Sequence, residues 1–228
     1  MNKFRTLRAD EIECRVGTIN ANGFTLLLYK DARCDQNILD DTVGEMNWQR
    51  DHKEVKGNMF CGVSIYDEIT GQWITKWDCG TESNTEKEKG EASDSFKRAC
   101  FNWGIGRELY TAPFIWITSE GAKIEKNDNG KYTCKDNFVV EEIEYNDNRE
   151  IIKLKIKNKT KRVVVFDYDD TKKSETDRLN LISEFEKLVL ETGTDKELIY
   201  ETYKVENNTQ MTNTQLEQAI RKMKGKKK

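Results

Sequence analysis

Two adjacent cations followed by an aromatic residue are the side chains of this sequence best suited to bind a charged ligand. Lys97 and Arg98 precede Phe101 closely enough that all three would share one face of a helix. Ammonium and guanidinium groups bind phosphates, and an aromatic ring can stack on a nucleobase. A second interpretation is a solvated helix face on which Asp94 and Arg98 form an ordinary i, i+4 ion pair. Periodicity alone does not decide between the two interpretations.

A long amphipathic helix is predicted to position these side chains. Thr85 and Glu88 have the spacing of a capping box, and Gly104 supplies a helix stop. An apolar stripe between them predicts a face buried against a sheet, and it consists of Ala92, Phe96, Ala99, Cys100 and Trp103. The opposite, outer face carries Lys87, Gly90, Asp94, Lys97, Arg98 and Phe101. Any binding function is therefore assigned to the outer face.

Side chains for bond chemistry are sparse in this sequence. His52 is the single histidine, and neither a GxxxxGK[ST] phosphate loop nor a GxSxG or HExxH motif occurs. A magnesium-dependent nuclease remains an alternative, because carboxylates stand beside lysines at two places in the sequence. They are Asp51 and Glu54 with Lys56, and Glu86 and Glu88 with Lys87 and Lys89. The six cysteines have no CxxC spacing, which indicates free thiols rather than zinc ligands. We expect no catalytic residue, no metal and no cofactor.

The order of the predicted elements indicates an α+β fold. Strands at 47–55, 58–67 and 72–80 form an antiparallel meander that the long helix covers, which makes a β-β-β-α core. A helix at 4–16, with Arg15 near its end, and a second helix at 35–46 precede the meander. Further strands are predicted at 138–145, 151–157 and 162–166, and further helices at 175–192, 195–204 and 212–224.

These elements predict three parts of the chain. They are the core at 1–117, a β-rich extension at 118–170 and a small helical C-terminal region with a basic tail at 171–228. In the extension, Lys153, Lys155 and Lys157 alternate with apolar residues, either as a solvated strand face or as a lysine ladder facing phosphate.

The charge balance restricts how the chain could bind a nucleic acid. Its 228 residues carry 38 Lys and Arg against 41 Asp and Glu, a formal net charge of −3. A nucleic-acid-binding surface would therefore need its cations clustered. No apolar run is long enough to span a membrane and no signal peptide precedes the first elements. We expect a cytoplasmic protein with no membrane partner.

Several local strings resemble the single-strand annealing domain of the Rad-fifty-two-like proteins, the eukaryotic recombination mediator and its phage relatives of the Sak type. They are EIECRVG at 11–17, GEMNW at 44–48, FCGVSIYDE at 60–68 and, above all, GTES followed by EKEKGEASDSFKRACFNWGIG. The resemblance covers about residues 4–110, and the asparagine-, lysine- and isoleucine-rich composition looks like an AT-rich phage or bacterial genome.

The resemblance implies a core that assembles into a ring, arc or filament and holds single-stranded DNA in a basic groove, backbone inward and bases outward, without ATP. Lys97 and Arg98 would hold phosphates, and Arg15 would be the groove arginine of the first helix. Phe101 stands where the eukaryotic protein has a further arginine, so it stacks on a base or packs against a neighbouring subunit. The predicted DNA-binding residues are Arg15, Lys56, Lys87, Lys97, Arg98 and Phe101.

The expected function is therefore ATP-independent single-strand DNA binding and annealing in phage or prophage recombination, in a bacterial host cytoplasm. Two alternatives stay open. One is the magnesium-dependent nuclease, and the other is an interaction module that recruits a host single-strand-binding protein through residues 175–228.

Overall fold

A computed structural model describes residues 4–81 and 87–225, with the backbone alone at 87–89 and 172–174. The chain divides into two compact units. The first comprises residues 1–142 and 155–166, and the second comprises residues 143–154 and 167–228. Antiparallel sheets together with helices confirm the α+β fold class. The functional division at 117 and 170 stays a prediction.

The chain begins with two strands, a helix, a meander and the long helix. These elements are β1 (Ile12–Ile19), β2 (Gly23–Lys30), α1 (Ala32–Val43), β3 (Trp48–Val55), β4 (Asn58–Asp67), β5 (Gln72–Cys79) and α2 (Lys87–Trp103). Six strands and three helices follow, namely β6 (Trp116–Thr118), β7 (Ile124–Lys126), β8 (Tyr132–Cys134), β9 (Phe138–Tyr145), β10 (Ile151–Asn158), β11 (Val163–Asp169), α3 (Thr171–Thr192), α4 (Lys196–Tyr203) and α5 (Asn213–Gly225).

The predicted meander is confirmed as a three-stranded antiparallel sheet in the order β3-β4-β5. Lys56 and Gly57 have positive φ values of 53° and 76°, so the first hairpin closes on the tight turn that suits the twist of paired strands. One face of the sheet contacts α2, because Cys61 and Val63 are fully buried beneath it. This is the predicted β-β-β-α arrangement.

The inner face of α2 is the stripe that the sequence indicates. Phe96, Ala99 and Cys100 are fully buried, and the indole N–H of Trp103 donates to the Val63 carbonyl oxygen at 2.9 Å. The helix ends at Trp103, and Gly104 follows with a φ of 96°, a conformation that favours glycine. The predicted capping box lies outside the described residues, because Thr85 and the side chain of Glu88 are not described.

A close approach of backbones fixes the end of β5 against α2. A Cβ atom on Gly80 would lie 2.2 Å from the Glu91 carbonyl oxygen and 2.7 Å from the Ser95 backbone nitrogen, and both distances are too short. We expect Gly80→Ala to lower the free energy of unfolding by about 1–3 kcal/mol, because backbone atoms of α2 cannot turn aside as a side chain can. Urea denaturation measures this change, and Gly225→Ala, where the added Cβ meets open space, is the control. Equal stability of both variants would contradict the expectation.

The helix predicted at 4–16 is wrong. Only Ala9–Glu11 form one turn of 3-10 helix, and the residues that follow are strand β1, paired antiparallel with β2. Pairing with β2 fixes these residues as a strand. Ile12 is buried and Glu13 is exposed, which is the two-residue period of a strand. Arg15 therefore lies on a strand, opposite Leu27.

The strands predicted in the extension are confirmed and belong to a six-stranded sheet in the order β11-β10-β9-β1-β2-β6. The three lysines of β10 pair with carboxylates of β9. Lys153 Nζ lies 3.1 Å from Glu144, Lys155 Nζ 3.2 Å from Glu142, and Lys157 Nζ 2.8 Å from Glu141. These ion pairs favour a structural function of the lysines over a phosphate-binding ladder.

The second unit contains the three helices predicted near the C-terminus, and all three are confirmed. Phe185 of α3 and Leu216 of α5 are fully buried in their shared core, with Tyr200 of α4 beside them. Residues 226–228 of the predicted basic tail lie outside the described residues. Among the helices described, none has both the length and the apolar character needed to cross a membrane.

Candidate nucleic-acid interface

The outer face of α2 lines an open groove with a volume of about 630 Å³. The other lining residues come mainly from β2 and from the segment 106–115, which includes the 3-10 helix Arg107–Thr111. All of them belong to the first compact unit. The fold thus brings together a helix face, a strand and a connecting segment that are far apart in the sequence.

Both predicted phosphate-binding cations, Lys97 and Arg98, line this groove. Arg98 is half exposed, and its Nε donates to Asp78 Oδ1 at 3.2 Å rather than to the predicted partner Asp94. Asp94 instead accepts hydrogen bonds from the backbone and the hydroxyl of Thr81. Burial acts to lower the pKa of Arg98, but the Asp78 carboxylate outweighs it and leaves that pKa above its usual value. Arg98 is therefore fully charged and only weakly held at the surface.

Phe101 also lines the groove, in contact with its own chain. Its ring centroid lies 4.8 Å from that of Tyr110, and the Arg107 guanidinium stands over it at 5.3 Å. The sequence interpretation did not select Arg107 or Tyr110, nor Phe114, which lines the groove as well. The available signal was the apolar and aromatic composition of residues 105–117.

Arg15 contacts the groove only through a neighbour. Its guanidinium lies 4.7 Å from the ring centroid of Tyr29, and its Nη2 donates to Glu13 at 2.7 Å. Tyr29 lines the groove, whereas Arg15 is not among the lining residues. Arg15 thus contacts a residue that lines the groove, and its contact with DNA stays a prediction.

The structure does not bring Lys56 into the groove. Lys56 is exposed on the turn between β3 and β4, close to the start of β4. At that end of β4 the backbone N–H of Met59 donates to Glu91, which lies near the start of α2. Phe101 lies ten residues further along the helix, about 15 Å from Glu91 at the rise of an α-helix. Lys87 begins α2, and its side chain lies outside the described residues.

A buried ion pair lies at the edge of the groove, where β2 meets α1. Lys30 Nζ donates to Asp35 Oδ1, and both side chains are almost completely buried. Burial raises the pKa of Asp35 to about 6, although the Lys30 ammonium opposes this shift. Gly106 provides the space for the Lys30 stem, since a Cβ there would overlap it.

Asp51 and Glu54, the carboxylates of the nuclease alternative that the structure describes, do not converge. Asp51 and Glu54 are three residues apart on β3, so they point to opposite faces of the sheet. Among the residues that the structure describes, no three His, Cys, Asp or Glu side chains form a group that could hold a metal ion. His52 contacts the Ala92 carbonyl oxygen at 3.3 Å, which is a packing position against α2.

A family comparison finds a match, and it covers most of the elements that line this groove. Residues 36–129 match the family model described as Rad52/22 family double-strand break repair protein. This region of the chain is similar to the Rad52/22 family. The resemblance drawn from the local strings is thereby confirmed, and the family is one of DNA repair and recombination. No curated protein and no solved structure matched the chain.

The region that matches the Rad52/22 family model, residues 36–129, contains most of the candidate interface. It includes the meander, α2 and the aromatic segment, and hence Lys97, Arg98, Phe101, Tyr110 and Phe114. The strands β1 and β2, with Arg15 and Tyr29, precede the matched residues. The groove is thus formed by the family region together with a strand outside it.

Proposed function

We propose that this protein binds single-stranded DNA and anneals complementary strands without ATP, in the homologous recombination of a phage or prophage. The observation that carries the proposal is the groove in which Lys97 and Arg98 stand beside aromatic rings, within the Rad52/22-family region. Cations lower the repulsion between phosphates, and aromatic rings hold bases unpaired. Neither task requires a bond to be broken, so the proposal includes no catalytic residue.

The groove places two cations, Lys97 and Arg98, beside aromatic rings. With a net charge of −3, the protein offers no general attraction for DNA, so the strand would bind where cations and rings coincide. Asp78 and Asp94 line the same groove and would be neighbours of the phosphates. Arg98 would exchange its exposed ion pair with Asp78 for a phosphate, at small cost because exposed pairs contribute little.

Strand annealing is the direct test. Two complementary labelled oligonucleotides are mixed with the full chain in EDTA, without nucleotide, and pairing is followed by fluorescence energy transfer. We expect pairing to be faster than without protein, and unchanged when ATP is added. Pairing no faster than the spontaneous rate would contradict the proposal. Cleavage of the labelled strands after addition of magnesium would instead favour the nuclease alternative.

We propose that the active form is a homo-oligomer, as a ring, arc or filament. Trp73, Trp77 and Val55 are exposed on the meander face opposite α2, and apolar exposure of this kind marks protein interfaces. Native mass spectrometry of the annealing preparation gives the subunit number, and a monomer in the presence of DNA would contradict this form.

We propose further that the C-terminal region, 171–228, recruits a host single-strand-binding protein. Its support is the second unit, which has a hydrophobic core of its own and leaves Leu190 and Leu198 exposed. Co-purification of the full chain with a bacterial single-strand-binding protein, in the absence of DNA, is the measurement that checks this partner.

A further inference from the structure

Two aromatic side chains at the groove are far more exposed than a folded protein usually allows. Tyr110 is 78% and Phe114 76% exposed, the highest values for aromatic residues in the described part of the chain. Trp73, the next, is 44% exposed. Large apolar side chains in such positions commonly mark binding surfaces. Both residues line the groove that contains Lys97 and Arg98.

Each of the two rings is supported by other side chains of the same chain. Tyr110 packs on Phe101, and Phe101 is held by Arg107, whose Nε donates to the Phe101 carbonyl oxygen at 2.8 Å. Phe114 is stacked with Trp116 at an interplanar angle of 14° and a centroid distance of 6.5 Å. The rings are thus held in place while most of their surface is open to solvent. Such preorganisation lowers the entropy lost on binding a flat partner.

The arrangement of charge and rings selects the kind of partner. The cations of α2 are less exposed than the rings, since Arg98 has a side-chain exposure of 50% and Lys97 is half-buried. Anionic groups would therefore bind deeper in the groove, and flat apolar groups would bind at its rim. Single-stranded nucleic acid combines these two features in every nucleotide, because each phosphate carries a base with a π-face.

We propose that bases of a bound single strand stack on Tyr110 and Phe114 while its phosphates contact Lys97 and Arg98. This inference rests on the proposed DNA binding and adds a base-contact site at the rim. It differs from the family expectation that bases simply project outward, since rings of the protein would hold some of them. Stacking is tolerant of sequence, which suits a protein that must anneal any pair of complementary strands.

The test separates base contacts from phosphate contacts. Tyr110→Ala plus Phe114→Ala is compared with the unaltered full chain on oligodeoxythymidylate and on an abasic phosphodiester of equal length. We expect affinity for the first probe to fall about 30-fold or more, because two stacking contacts are lost, and affinity for the second to stay unchanged. The salt dependence of binding should keep its slope, because no phosphate contact is lost.

Two further variants complete the design. Tyr110→Phe plus Phe114→Tyr keeps both rings and should bind as the unaltered protein does. Ile69→Ala removes an apolar side chain that is 87% exposed on the turn between β4 and β5, outside the groove, and should also leave binding unchanged. Because Tyr110 and Phe114 are mostly exposed, their replacement removes little packing.

The possible results are distinct. An unaltered protein that binds neither probe overturns the proposed function and this inference together. If the unaltered protein binds and the alanine variant keeps full affinity for oligodeoxythymidylate, the base site alone is overturned. An equal loss of affinity for both probes with a changed subunit number also overturns it, because the rings would then contact a second copy of the chain.

Discussion

Replacing Lys97 and Arg98 together with alanine is expected to weaken single-strand DNA binding about 15- to 100-fold at physiological salt. Each phosphate contact on a single strand contributes a slope of about 0.7 to the salt dependence of binding, so losing one at 0.15 M costs about fourfold in affinity by counterion release alone. Two contacts cost about 15-fold, and the lost hydrogen bonds add to this. Both side chains line the same groove, so both contacts should be lost together.

Fluorescence anisotropy at several salt concentrations measures this change. The slope of log affinity against log salt should become shallower by about 1.4 per bound subunit. The matched control is Lys155→Ala plus Lys157→Ala, which removes the same charge from lysines already paired with Glu142 and Glu141. A steep slope retained by the groove variant, or an equal loss in the control, would show that the helix face is not the phosphate site.

The largest effect on stability is expected from Asp35→Ala, at about 3–5 kcal/mol of unfolding free energy. This change leaves the Lys30 ammonium almost completely buried without its carboxylate, and an uncompensated buried charge is costly. The two charges depend mainly on each other, because the second oxygen of Asp35, Oδ2, is buried and has no hydrogen-bond partner in the described part of the chain.

A double variant distinguishes the cost of an orphaned charge from the cost of lost packing. Lys30→Met plus Asp35→Leu replaces the pair with apolar side chains of similar size and should recover most of the stability. Urea denaturation of both single variants and the double variant gives the coupling free energy between the two positions. If the double variant is as unstable as the sum of the single variants, the pair contributes by packing and not by charge compensation.

The sequence predicts those parts of the fold that local signals determine. The meander follows from alternation and from turn residues such as Lys56-Gly57, and α2 follows from a stripe ending at Trp103 and Gly104. The first strand was missed because its conformation depends on pairing with β2, and the periodicity of its own residues does not show that pairing. The short string around Arg15 fits a helix or a strand until Leu27 lies opposite it.

The residues of the candidate site also form two groups, those that a local pattern indicates and those that depend on distant parts of the chain. Lys97, Arg98 and Phe101 could be selected because one helix face presents them together. Tyr110 and Phe114 could not, because their importance depends on a groove that also requires β2. The ion pair of Arg98 shows the same limit, since helical spacing indicates Asp94 but the structure offers Asp78 on β5. The periodicity of a sequence does not show which distant segments will be in contact.

The contact between α2 and the meander contains two thiols that make its motion measurable. Cys61 of β4 and Cys100 of α2 are fully buried; burial raises the pKa of Cys61 to about 11 and that of Cys100 well above its usual value. Both thiols should be alkylated slowly while the helix lies on the sheet, because burial favours the neutral thiol over the reactive thiolate and shields the sulfur. The alkylation rate of Cys100 therefore reports how often α2 separates from the sheet, and binding of DNA to the outer face should slow that rate.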